Sequence, residues 1–339
     1  MSTFADWYVT HVFPLWPATY GRLTSLVPFS VGEWMLILIV PLILFLLFRK
    51  RFRILLWLLC AIALVMTLNC FLCYRTSPID AAVRSELEGD ALQNVSFEAA
   101  GGAENLIALR NHAVNVCNAF SEEFAHDENG DLLPEAIPSD NEIREQARES
   151  IAALSKAYPQ LGGYQVRPKA FLFSSFVSQQ YMQGYYFPFS MEANYNDLVV
   201  RTNLPFAICH ELAHTHGYLR EDECNFLAFL ACIHSEDPFF QYSGWISVLP
   251  YLERDVKKLL SKEDYDMLLP LSELARKDAR FLTEAVRAQV EERALFKTET
   301  IQKATDVYVD TTLKVNGIPS GKENYSEVVR LLLTYYSAA

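Results

Sequence analysis

His210-Glu211-Leu212-Ala213-His214 reads H-E-x-x-H within Leu204–Thr215, a run whose signals are helical. Residues four apart share one helix face, so the two imidazoles can grip one metal ion together. Glu211, one position after the first His, can lean over the same ion and act as a general base toward water. Asn203 or Thr202 can cap this helix, Pro205 suits its first turn, and Gly217 is placed to end it. The chemistry this pattern proposes is zinc-assisted hydrolysis of a peptide bond, with His210 and His214 as metal ligands and Glu211 as the catalytic base.

Catalytic zinc takes three protein ligands and keeps a position open. A continuous helix would carry Glu221 ~10 Å past His214, too far to reach the ion. The chain must therefore turn at Gly217. Glu221 is then the first possible third ligand, in Arg220-Glu221-Asp222-Glu223-Cys224-Asn225, with Glu223 as the alternative. These acids also suit a helix first turn, where they complement the macrodipole. His216 falls on the other side of the helix and reads as a surface or capping residue, and His234 as structural. Tyr218, Tyr242 and Tyr195 are candidates for stabilising an oxyanion.

Two resemblances bear on the third ligand. The H-E-x-x-H-x-x-G run resembles that of metzincins, whose third ligand comes three residues after the Gly, a slot that holds Arg220 in this chain. Gluzincins such as thermolysin take it from E-x-x-x-D, and the CaaX-prenyl endopeptidase class from E-x-x-A-D. Glu221–Asn225 resembles both, with Asn in place of Asp. That resemblance favours Glu221 over Glu223 and implies that Asn225, on the same helix face, hydrogen-bonds a ligand histidine.

Outward from the motif, hydrophobic residues make up 51% of the 339-residue chain and concentrate near the N-terminus. Trp34–Phe48 and Ile54–Tyr74 carry no charge. The second run is long enough to span a ~30 Å hydrocarbon core as a helix, and the first approaches that length once Ser30–Glu33 join it. Arg49-Lys50-Arg51-Phe52-Arg53 lies between them, so the positive-inside rule puts a basic loop, 49–53, in the cytoplasm and both flanks outside. The expectation is a two-helix transmembrane hairpin over 33–74, anchoring a multi-pass protein in the cell membrane. Residues 1–32, rich in aromatics, suit an interfacial segment or a tail packed on the outer domain.

Charge divides along the chain. Residues 1–75 hold six of the 29 basic residues and two of the 41 acidic ones, leaving 23 basic against 39 acidic beyond them. An acidic outer domain argues against nucleic acid as a partner. The seven cysteines show no disulfide framework, and none has C-x-x-C spacing in the outer domain.

Residues 75–102 read as a linker and 103–339 as one domain. Leu106, Leu109, Ala113, Val116 and Phe120 give a helical face, and Ile143, Ala147, Ile151 and Leu154 a second, capped by Asp140 or Asn141. Tyr164–Phe176 reads as one or two strands, and Gly184–Asn196 as extended, with Pro188 demoting it to a sheet edge. An edge strand beside the motif could hold an extended peptide by backbone pairing. Helices are expected at Arg220–His234, Trp245–Leu260, Glu263–Leu269, Ser272–Leu295 and around Val328–Leu333. The fold class is mainly α with a small β-sheet.

The chain as a whole resembles a bacterial family of unknown function whose members look membrane-anchored and zincin-like. The residues that carry this are Pro28-Phe29-Ser30, Tyr186–Phe189 with Glu192-Ala193-Asn194, Leu204-Pro205-Phe206 into His210–His214, Glu221–Glu223, and Asn225–Ala228. Leu313–Gly317 followed by Tyr325-Ser326 adds a C-terminal signature. The resemblance implies membrane anchorage, Zn²⁺, and a gluzincin-like peptidase domain acting on a peptide or protein outside the cytoplasm. The other function class is a non-catalytic extracellular binding or assembly protein with a structural or vestigial metal site. An intact Glu211 speaks against it, because a purely structural site needs no base.

Overall fold

The computed structural model describes residues 3–80, 102–315 and 327–337 and is mainly helical, with one small sheet. Helix α1 (Phe4–His11) begins at a capping box in which Thr3 and Asp6 satisfy each other's backbone donors. After the short α2 (Arg22–Ser25), Ser30 caps α3 (Val31–Phe48), and α4 (Phe52–Met66) continues in helical turns to Arg75. Val31–Phe48 and Phe52–Arg75 are each long and apolar enough to cross a membrane, with a mean hydropathy of 2.5. Only Gly32, Glu33 and Leu46 of α3 are buried, and nothing in Phe52–Met66 is. The pair is therefore not a core hairpin of the folded domain. Its bare apolar flanks are consistent with a membrane anchor.

The head of this hairpin is built into the domain. Residues 3–30 take the packed alternative on their inner side: Tyr8, Val9 and Phe13 share an apolar cluster with Cys70, Cys73, Tyr186, Met191 and Leu219. Phe4, Trp7, Leu23 and Leu26 stay exposed on the outer side.

The remaining helices are α5 (Gly102–Glu123), α6 (Asp140–Ala153), α7 (Ser174–Gln179), α8 (Leu204–Thr215), α9 (Glu221–Ile233), α10 (Pro238–Leu259), α11 (Lys262–Asp266), α12 (Glu273–Asp278), α13 (Glu284–Glu292), α14 (Thr298–Val315) and α15 (Val328–Ser337). Strands β1 (Lys169–Ala170), β2 (Gly184–Phe187) and β3 (Glu192–Tyr195) form the sheet in the order β1-β3-β2. β2 pairs antiparallel with β3 as a hairpin, Gly184 opposite Tyr195 and Phe187 opposite Glu192, while β1 runs parallel to β3. α8 lies at the centre, against the sheet and α6, α9 and α10. All its residues are buried except His210, which is half-buried. An element so enclosed is a rigid platform for the groups it carries.

Several expectations need correction. Within Tyr164–Phe176 only Lys169–Ala170 forms a strand, and Ser174 already opens α7. The cause is long-range: the Glu33 carboxylate accepts from the amides of Leu172 and Phe173, 2.7 and 3.0 Å away, and curls the chain there. α6 is capped one residue earlier than expected, by Ser139 in a capping box with Glu142. α10 starts at Pro238, behind an Asp237 cap, well before Trp245. Ser272–Leu295 is two helices, because Thr283 caps a second start. α14 was not expected at all.

Of the expected linker, residues 75–80 are described and are pinned. Ser77 donates from N and Oγ to Asp6, Arg220 donates to the Thr76 carbonyl, and Ile79 N donates to Glu223. Residues 81–101, and the part of the C-terminal signature within 316–326, lie outside the described residues.

Candidate metal centre

α8 stops where its sequence said it would. His216 N and Gly217 N donate to the Ala213 and His214 carbonyls, and Gly217 takes a φ of +87°, a conformation a Cβ disfavours. The turn brings α9 back against α8, so Glu221 at the start of α9 meets the histidine face. Glu221 Oε2 lies 3.1 Å from His210 Nε2 and 4.0 Å from His214 Nε2. In a tetrahedral zinc site with bonds of ~2.0–2.1 Å, neighbouring ligand atoms are ~3.3 Å apart. His210, Glu211 and His214 present ligand atoms that all lie within 4.8 Å of one another.

The other ring nitrogens fix the protonation pattern. His210 Nδ1 lies 2.9 Å from Asn225 Oδ1, and His214 Nδ1 lies 2.8 Å from the Tyr218 carbonyl. Both partners accept, so each Nδ1 carries a proton and each Nε2 is turned toward Glu221, where it can share a cation with the carboxylate or, at His210, donate to it. This is the outer support that ligand histidines use. Asn225 thus has the position expected of it, one turn along α9 from Glu221. The Gly217 corner does two jobs, delivering Glu221 and supplying the Tyr218 carbonyl that orients His214.

Burial opposes charge on His210, but the Glu221 carboxylate outweighs it and raises its pKa. His214 is pushed down to about 4 by burial and by His210, against the pull of Glu221. Burial raises Glu211 to about 8; His210 opposes this and Glu221 reinforces it. Glu211 Oε2 is buried without a hydrogen-bond partner. An orphaned carboxylate oxygen beside two convergent imidazole nitrogens and a second carboxylate fits a divalent cation and its water.

Glu223 faces the other way. It is buried, accepts from Ile79 N at 3.0 Å, and pairs with Arg220 at 3.5 Å. Burial raises its carboxyl to about 7. It ties down the chain leaving the apolar helix pair, and Glu221 alone of the two meets the histidines. His216 is a buried cap rather than a surface residue, with Nε2 against Gln165 Oε1. His234 ends α9 and meets the Tyr335 hydroxyl.

Of the three tyrosines singled out from sequence, Tyr218 meets a histidine through its carbonyl, and no phenol of the three bonds one. Tyr242 donates to Asp278 at 2.7 Å, and Tyr195 accepts from Arg144. Burial raises the Tyr218 phenol, with Glu223 contributing. The phenols near the cluster are others. Tyr251 OH is 3.5 Å from Asn225 Nδ2, and burial with the Glu221 charge raises it to about 12. Tyr185 of β2 is raised by burial and by Tyr308, with Glu211 contributing. Gly184 was also missed: a Cβ there would stand 2.5 Å from Glu211 Cγ and Oε1, so β2 crosses directly over the Glu211 side chain. The edge-strand signal before the motif pointed to this segment. No comparable signal marked Tyr251, which reaches the site from α10.

These features define a mainly helical protein with two candidate membrane-spanning helices and a His/Glu cluster able to hold a metal. Residues 8–333 match the family described as "Protein of unknown function (DUF3810)", and the chain belongs to that family. No curated protein and no solved structure matches it.

Proposed function

We propose that the protein is a membrane-anchored, zinc-dependent metallopeptidase whose domain lies outside the cytoplasm. The observation that carries this is the convergence of His210 Nε2, His214 Nε2 and Glu221 Oε2, with the orphaned Glu211 carboxylate beside them. Zinc, when bound, supplies a Lewis acid that acidifies water and polarises a carbonyl. His210, His214 and Glu221 would hold it. Glu211 receives the proton from water at Oε2 and passes it to the departing amine. A peptide suits the site because β2 is a sheet edge. An extended chain pairing along Gly184–Tyr185 would place a carbonyl above Glu211. The basic loop at 49–53 supports placing the domain outside.

The test uses the full chain purified in detergent. We expect about one zinc per chain, lost in His210→Ala. Glu211→Gln should keep the metal and lose cleavage of an unfolded protein such as casein. Wild-type protein that takes up no zinc from a zinc-replete buffer would overturn the reading. Retention of cleavage by Glu211→Gln would remove the base.

A further inference from the structure

Six large apolar side chains surround the end of the membrane hairpin that meets the domain. Leu26 and Phe29 precede α3, Leu172, Phe173 and Phe176 come from the start of α7, and Phe296 lies before α14. Each is between 47% and 76% exposed. They are tied to one place. The amides of Leu172 and Phe173 are held by Glu33 in the first turn of α3, and Lys169 Nζ donates to the carbonyls of Thr24 and Phe29. Gln179 Nε2 donates to the Phe296 carbonyl, 2.9 Å away.

α7 is two-sided. Val177 turns inward onto Phe171 and Phe187, while Phe173 and Phe176 turn out. The outward rings therefore leave a packed core unused. Soluble monomers rarely leave so many large apolar groups together unless something covers them.

We propose that these residues form an apolar collar that sinks into the leaflet adjoining the domain and seats it on the bilayer. The occupant follows from continuity. Glu33 belongs both to α3, whose exposed apolar flank continues from it, and to the contact that fixes Leu172 and Phe173. Groups held within a turn of the head of a membrane helix lie at interface depth, where aromatic and aliphatic side chains are favoured. The proposal rests on the membrane reading of α3 and α4, and its test separates the two.

The full chain is reconstituted in phosphatidylcholine vesicles. Cys60 is the one exposed cysteine, so an environment-sensitive thiol dye on it reports the middle of α4. In a Cys60→Ser background the dye is placed by Phe173→Cys or Phe296→Cys, with Met267→Cys, an exposed position on a different element, after α11, as the control. We expect the collar dyes to lose most of their emission to a lipid nitroxide near the top of the acyl chain and to resist aqueous iodide. Met267→Cys should behave in the reverse way. Collar dyes reached by iodide but not by lipid, or by neither because a protein covers them, overturn the proposal. A dye on Cys60 that escapes a mid-chain nitroxide overturns the membrane reading and the collar with it. Quenching at Cys60 with none at the collar overturns the collar alone.

Discussion

At the scale of single residues, Gly184 and Asn225 govern how the histidine cluster works. A methyl at position 184 would overlap the buried Glu211 side chain at Cγ and Oε1. Gly184→Ala should therefore destabilise by ~1–3 kcal/mol, the usual cost of overpacking, and displace the base. Thermal unfolding with zinc analysis checks this, and Gly184→Ala combined with Glu211→Ala should regain most of the lost stability. Full stability in Gly184→Ala alone would contradict the close approach. Asn225 acts through His210. Its replacement by Ala should weaken zinc affinity roughly 10–100-fold, as losses of such outer partners do. Competition against a fluorescent chelator measures that.

At the scale of elements, α9 divides its first turn between two tasks. Glu221 faces the histidines, while Glu223 holds Ile79 and Arg220. Glu221→Gln should lose the metal. Glu223→Gln should keep it and loosen residues 76–79, seen as faster amide exchange at Ile79. The reverse pairing would move the third ligand. Local signals made α8 and this corner legible: Pro205, a Gly at the stop, and an i, i+4 pair after it. Other elements answer to partners distant in sequence. α7 is set by Glu33, so the aromatic richness of 164–176 pointed to strand. α14 carries Val307, Val309, Thr311 and Thr312, which disfavour helix. Glu299–Lys303 and Asp310–Lys314 pairs and a buried Leu313 support it instead. The cap of α6 was legible to within a residue, at Ser139, whereas Asn203 stands at the start of α8 without a capping hydrogen bond and the Asp237 and Thr283 caps were missed.

At the scale of the whole molecule, the apolar helix pair and the domain were each legible from hydropathy and charge, but their joint was not. It is made of contacts between residues well over a hundred positions apart. The amides of Val31 and Gly32 donate to both oxygens of Glu192, and Lys169 bonds that same carboxylate. Asn69 Nδ2 donates to the Pro188 carbonyl, and Tyr186 donates to the Asn69 carbonyl. Tyr186 in turn stands 6.0 Å, ring to ring, from His214. The hairpin's head is thus part of the wall behind the histidines.

That joint decides how the protein can be handled. A chain begun at Ser77 to obtain a soluble fragment would discard Glu33, the two amides on Glu192 and Asn69. It would also expose Tyr186, Met191 and Leu219, which are buried against Val9, Phe13 and Cys73 in the whole chain. Losing partners for buried polar groups costs about 1–3 kcal/mol each, against a total stability of ~5–15 kcal/mol for a typical protein. Such a fragment should aggregate or fold loosely, while the full chain in detergent elutes as a defined species, and size-exclusion chromatography of both checks this. The apolar helix pair is a structural member of the domain, and cutting it away removes part of what is to be assayed.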